Sequence, residues 1–342
     1  MKRLICAALV LCLLLCGCTP VQKAENKRYS ASFLTLFDTV TTIVGFAESE
    51  EAFAETIQGI HDELEMYHQL FDIYNDYPGI NNLKTVNDNA GIAPVTVDPA
   101  IITLLSNCKD YYELTGGVVN VAMGSVLHLW HEARNHGIND PVNAALPDMA
   151  ALEAAAEHCN LDDVVIDEAA STVYIRDPEM RLDVGAVAKG WAVQRICESA
   201  PSGLLISVGG NVCATGPKDE TGNPWVVGVQ NPDGAADDYL HTVYCAQGSV
   251  VTSGDYQRAY TVDGVSYHHI IDPETLFPAG YWRSVTILCP DSGLADALST
   301  ALFVLSLEEG LELLEKCDAE AMWVDAAGEI SYSPGFEENI RT

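Results

Sequence analysis

Positive charge is what this chain has least of. Among 342 residues, 17 Lys and Arg stand against 49 Asp and Glu, a formal net charge of −32. So acidic a surface repels a phosphate backbone, and no Lys/Arg cluster follows residue 30 as a local exception, which excludes nucleic-acid binding. Any anionic substrate needs a metal ion or a local ring of donors. Familiar ligand loops are missing too: there is no G-x-x-x-x-G-K-[ST] order, no G-x-G-x-x-G fingerprint, no H-E-x-x-H, no internal repeat and no low-complexity tract. What is plentiful is apolar surface. Hydrophobic residues make up 48% of the chain, enough for a large core and incompatible with disorder.

Met1-Lys2-Arg3 and the apolar run Leu4 to Leu15 read as an export signal too short to remain in a membrane. Leu15-Cys16-Gly17-Cys18 then resembles a bacterial lipoprotein box, with Cys18 acylated as the new N-terminus. Residues 1–17 are the expected signal, 18–30 the acylated cysteine and a polar tether, and 31–342 the working domain. Cleavage removes Lys2 and Arg3 but no acid, so the mature chain carries −34. Of 11 cysteines, seven lie beyond the export segment, an odd number with no C-x-x-C pair. That argues against a disulfide framework or zinc site and for small buried hydrophobes.

Alternation predicts a strand within Phe33 to Phe46. Phe53, Ile57, Ile60, Leu64, Tyr67 and Phe71 draw an apolar stripe along a helix with Ser49 as N-cap. Asp72 to Pro94 reads as a long loop. Further helices are predicted from Asp98-Pro99 to Gly116-Gly117, over Ala122 to Arg134, Asp148 to Cys159, Ala186 to Glu198, Leu294 to Leu305 and Glu308 to Lys316. Strands are predicted at 164–167, 172–176, 204–208, 225–230, 241–245 and 284–289. Two hairpins follow, one over Asp263-Gly264 and one closing the chain between Met322 and Tyr332. Helices and strands mix without strict alternation, which points to an α+β fold with mixed, largely antiparallel sheets and packed helices.

Three segments can carry chemistry. In Ala295-Asp296-Ala297-Leu298-Ser299-Thr300, Asp296 and Thr300 are four apart and share a helix face amid apolar neighbours. A hard cation such as Mg²⁺ would satisfy that carboxylate; a solvent-facing Asp296 with Thr300 bonded back to a carbonyl is the alternative. Asp183-Val184-Gly185-Ala186-Val187-Ala188-Lys189-Gly190 brings a small-residue turn into a helix start suited to phosphate, or simply a tight turn packed on a sheet. In His268-His269-Ile270-Ile271-Asp272-Pro273, alternation sends the two histidines to opposite sides, so one can face a site. His128, His131 and His136 read as a solvated helix face.

Together with Leu36-Phe37-Asp38-Thr39-Val40, Thr115-Gly116-Gly117, Ser207-Val208-Gly209-Gly210-Asn211 and Thr252-Ser253-Gly254, these segments occur in an order that resembles the ApbE family of FAD:protein FMN transferases, exported lipoproteins. The resemblance implies an ApbE-like (T-fold-like) architecture. It also implies Mg²⁺-dependent transfer of the FMN half of FAD to a Ser or Thr hydroxyl of an acceptor protein, with release of AMP. By resemblance the metal ligands are Asp296, Thr300 and a backbone oxygen at Ala186. Flavin or nucleotide contacts fall on Phe37, Tyr74, Val118, Val119, Asn120, Asp183, Lys189 and Ile270, and His269 is the catalytic candidate. The acceptor expected is a flavin-carrying subunit of a membrane redox complex, and the enzyme would sit at the outer face of the cell membrane through a lipid on Cys18. Two departures stand out: Val119-Asn120 replaces a common Phe-Asp, and Thr275-Leu276 a common Thr-Gly. The competing readings are a non-catalytic flavin-binding lipoprotein and a pyrophosphatase that splits FAD into FMN and AMP.

Overall fold

Alternating apolar residues build the centre of the molecule. The computed structural model describes residues 26–235 and 238–342, so the expected signal, Cys18 and most of the tether lie outside the described residues. The chain opens with β1 (Lys27–Leu34), β2 (Val40–Ala47) and α1 (Glu50–Phe71), then α2 (Leu83–Asp88), β3 (Val95–Thr96) and α3 (Pro99–Leu114). Next come α4 (Gly124–Asn139), α5 (Met149–Ala156), β4 (Val164–Asp167), β5 (Thr172–Ile175) and α6 (Ala188–Ser199). Strands dominate afterwards: β6 (Leu204–Val208), β7 (Asn211–Ala214), β8 (Trp225–Gln230), β9 (Tyr239–Cys245), β10 (Gly248–Gly254), β11 (Ala259–Val262), β12 (Val265–His268) and β13 (Trp282–Cys289). The chain closes with α7 (Ser292–Val304), α8 (Leu307–Leu314), β14 (Glu320–Asp325) and β15 (Ile330–Tyr332).

Eight strands form one sheet in the order β1-β2-β6-β7-β10-β13-β14-β15, every pair antiparallel. Period-two alternation gives the sheet two apolar faces. Val251, Ala321 and Trp323 face a core shared with α1, α3, α6 and α7, while the next residues Val250, Met322 and Val324 face the β8–β9 hairpin. A third cluster joins α4 and α5 to the β11–β12 hairpin through Met123, Trp130, Leu152, Tyr260 and Leu276. The α+β architecture is as expected, and all seven cysteines among the described residues are free.

Several local expectations fail for identifiable reasons. The strand expected over Phe33 to Phe46 is broken at Leu36–Asp38, where Phe37 and Asp38 adopt φ of 53° each, and strand pairing starts at Lys27, inside the supposed tether. The loop from Asp72 to Pro94 contains α2, capped by Asn82, whose side chain accepts from Thr85 N. β7 and β10 were not expected; β7 has only four residues and begins with Asn211, β10 is rich in Gly and Ser, and pairing with β6 and β13 overrides these weak strand preferences. The strand expected to run from Val265 to Ile271 stops at His268.

In this core α6 packs directly against α7. A Cβ at Gly190 would lie 2.3 Å from Ser292 O and 2.4 Å from Asp296 Cβ, so only glycine fits this crossing. Gly190→Ala forces the two helices apart and is expected to cost about 1–3 kcal/mol, read as a lower midpoint in thermal unfolding; an unchanged midpoint would show that the crossing is loose.

Candidate active site

A cavity of about 590 Å³ opens between the N-terminal ends of α6 and α7, the loop after α1, the start of α4 and the β11–β12 hairpin. Asp296, in the second turn of α7, supplies its most constrained group. The residue is 3% exposed, which a carboxylate tolerates only with compensating partners. Its Oδ2 accepts from Gly190 N at 2.8 Å and lies 3.5 Å from Lys189 Nζ. Burial nevertheless holds its pKa above the ordinary carboxylate value, against the pull of Lys189, Gly190 N and the neighbouring Asn211 amide. Asn211 Oδ1 is itself buried without a hydrogen-bond partner. An under-compensated carboxylate beside an orphaned amide oxygen suits a hard cation, and Thr300, one turn along α7, and Ala186 line the same cavity.

The turn before α6 is built by Asp183, whose Oδ1 accepts from Gly185 N at 2.8 Å, while Lys189 reaches back to Gly185 O at 3.3 Å. His269 follows the end of β12. Burial pushes its pKa down to about 3, with Arg258 and Lys189 acting in the same direction, and its Nδ1 has no hydrogen-bond partner. It is therefore neutral at pH 7 with an uncommitted nitrogen. His268 instead serves the fold, its Nε2 2.9 Å from Ala279 O and its Nδ1 accepting from Ile270 N.

Two aromatic walls are fixed from the last turns of α1. His68 Nδ1 accepts the Phe37 N–H at 3.2 Å, pinning the left-handed turn at Phe37. One turn on, Asp72 accepts from Tyr74 N, Asn75 N, Asn75 Nδ2 and the Tyr77 hydroxyl at 2.6–3.1 Å. Burial opposes ionisation of Asp72, but these four donors outweigh it and hold the carboxyl below its ordinary value. Tyr74, so held, stacks on His131 with ring centroids 5.1 Å apart. Across the cavity Val118, Val119 and Asn120 form a wall. Asn120 donates to Cys159 O and accepts from Ala122 N, both at 2.9 Å. An ionised aspartate could make the second bond but not the first, so the departure at this position ties the segment before α4 to the Cys159 carbonyl after α5.

All twelve residues singled out by the sequence, Ile270 included, line this one cavity. Sequence reasoning missed Asn211, His131, Arg134 and Arg258. The first was hidden in a glycine turn. His131 and Arg134 lie on the helix expected to be a solvated face, but its first turns pack against the β11–β12 hairpin and bring that face to the cavity.

The ApbE family pattern matches residues 37–323. The chain belongs to the ApbE family. The FAD:protein FMN transferase of Treponema pallidum is 36% identical over 277 residues, 76% of this chain and 75% of that protein. The one from Klebsiella pneumoniae is 31% identical over 276 residues, 77% of this chain and 83% of its own. Among solved structures, the ApbE protein from Thermotoga maritima superposes with a TM-score of 0.81 at 29% identity, covering 92% of this chain and 100% of that one. The flavin transferase ApbE from Vibrio cholerae, at 22% identity, shares the fold with a TM-score of 0.75 over 92% of this chain and 100% of its own. The ApbE-like architecture expected from the motifs is thus the observed one.

Asp72→Ala removes the acceptor of four donors and is expected to lower the unfolding midpoint and to weaken FAD binding, whereas Tyr74→Ala should weaken FAD binding alone. Because the folded pKa of Asp72 is depressed, its stabilisation is present above the ordinary carboxylate range and is lost as pH falls through the lowered folded value. The midpoint difference between wild type and Asp72→Ala should therefore shrink in acid; a constant difference would contradict the ionised network.

Proposed function

We propose that this protein is an FAD:protein FMN transferase, moving the FMN half of FAD onto a Ser or Thr hydroxyl of an acceptor protein and releasing AMP. The observation that carries this reading is the buried Asp296 carboxylate beside the orphaned Asn211 oxygen and the neutral His269, in a cavity large enough for a dinucleotide. The names of the relatives, FAD:protein FMN transferases, support it. Asp296, Thr300 and the backbone oxygen of Ala186 would hold Mg²⁺. When bound, that ion offsets charge on the diphosphate and on the departing phosphate.

The chain's own residues do the remainder. The acceptor oxygen attacks the phosphorus of the FMN half, its new P–O bond replacing the bridging P–O bond, and the electron pair leaves with AMP. His269 accepts the hydroxyl proton on an uncommitted nitrogen. Burial and the nearby cations keep its own proton affinity low, and a dianion bound beside it raises that affinity. Phe37 and Tyr74 orient the flavin, and Lys189 lowers the cost of ionising Asp296. Orientation is the larger part of the effect, because phosphoryl transfer needs an in-line approach more than a strong base.

The lipoprotein box at Leu15 to Cys18 supports a lipid anchor at the outer face of the cell membrane, where a flavin-carrying subunit of a membrane redox complex would be the acceptor. Incubation of the protein with FAD, Mg²⁺ and such a subunit should add an FMN mass to the subunit and release one AMP per adduct. AMP without an adduct would make the protein a pyrophosphatase, and neither product would make it a flavin-binding protein. Asp296→Ala should lower the transfer rate by about a hundredfold or more, and His269→Ala by a similar factor with little change in FAD affinity.

A further inference from the structure

Two arginines line the cavity, and neither has an acid partner. Lys84, Lys189, Arg195 and Arg283 all pair with carboxylates. Arg134, partly buried on α4, instead bonds through Nη2 to His131 Nδ1, a neutral acceptor, at 2.8 Å. Arg258, just before β11, makes no hydrogen bond or ion pair with any described residue. Each lies in the field of the other, which burial and mutual repulsion make unfavourable at Arg134. In a chain of −32, two guanidiniums that line one cavity with no carboxylate bonded to either suit an anionic ligand.

The rest of the cavity indicates which anion. Asp38, Asp72, Asp183 and Asp296 all line it, so its field opposes a negative ligand. Lys189 is engaged with Asp296, and His269 is neutral, so neither is a free positive charge. Arg258 is nonetheless the charged neighbour that acts most strongly on His269, ahead of Lys189, with Arg134 also in range, which places the pair beside the candidate catalytic ring. We propose that Arg134 and Arg258 together form an anion site for the diphosphate of FAD, separate from the carboxylate site at Asp296. This rests on FAD being the substrate, whose anionic part is the diphosphate. The Tyr74–His131 stack next to Arg134 leaves an aromatic surface adjoining that anion site, matching a ligand that carries rings on either side of its phosphates.

The test compares FAD with riboflavin, which lacks phosphate, by flavin-fluorescence titration of the full chain in chelator, so that no metal contributes. Arg258→Ala and the Arg134→Ala/Arg258→Ala double variant should weaken FAD binding by about tenfold or more, a shift of about 1.4 kcal/mol per tenfold, and leave riboflavin binding unchanged. The double lysine variant should recover part of the loss, and raising the salt concentration should weaken FAD binding to wild type more than to the double alanine variant. Equal effects on FAD and riboflavin, or none on either, would overturn the proposal, as would an effect confined to the acceptor's KM. Because Arg258 is exposed, the single variant reports even where loss of Arg134 impairs folding. Failure of the transfer assay with a selective loss of FAD binding would refute the transferase reading and leave the anion site standing.

Discussion

One buried carboxylate organises this protein. Asp296 lies where α7 meets α6, and a charge so placed persists only if its surroundings compensate it. Gly190 lets the helices approach closely enough to donate a backbone N–H, Lys189 brings a positive charge on the same turn, and Asn211 at the start of β7 adds its amide. These compensate in part. Burial still favours the neutral acid, and the remaining deficit has the sign that a bound cation would offset.

The acidic composition gives that deficit its functional meaning. A protein with 49 acids against 17 bases cannot attract a diphosphate through its overall field, so binding must be local. The cavity combines a carboxylate that calls for a cation, a pair of arginines left without acids, and a histidine held neutral by burial. Around this polar floor the walls are aromatic and rigidly held. His68 and Asp72, one turn apart at the end of α1, reach two different segments and fix Phe37 and Tyr74 through backbone N–H groups.

Much of this was legible in the sequence. The stripe from Phe53 to Phe71, the Asp98-Pro99 start and the Asp263-Gly264 turn each carry a local physical signal, and each appears as expected. The candidate site residues were found by motif, and the fold brings them into one cavity. What escaped was set by distant partners. The kink at Phe37 depends on His68, 31 residues away, and no alternation rule contains it. Leu276 shows the same limit: it sits at φ 61°, a conformation that favours glycine, with the strain offset by burial of its side chain and by the Trp130 indole donating to its carbonyl at 2.9 Å. Arg134 and Arg258 reach the cavity only because α4 and the β11–β12 hairpin pack together.

The central claim is that an acidic protein binds a dianion through a cation at Asp296. Its most direct test is the dissociation constant of FAD measured on the full chain in Mg²⁺ and again in chelator, without any acceptor. The account predicts binding at least about tenfold tighter with Mg²⁺ in wild type, and no such difference in Asp296→Ala. Equal affinity in both buffers for wild type, or an undiminished Mg²⁺ effect in the variant, would contradict it.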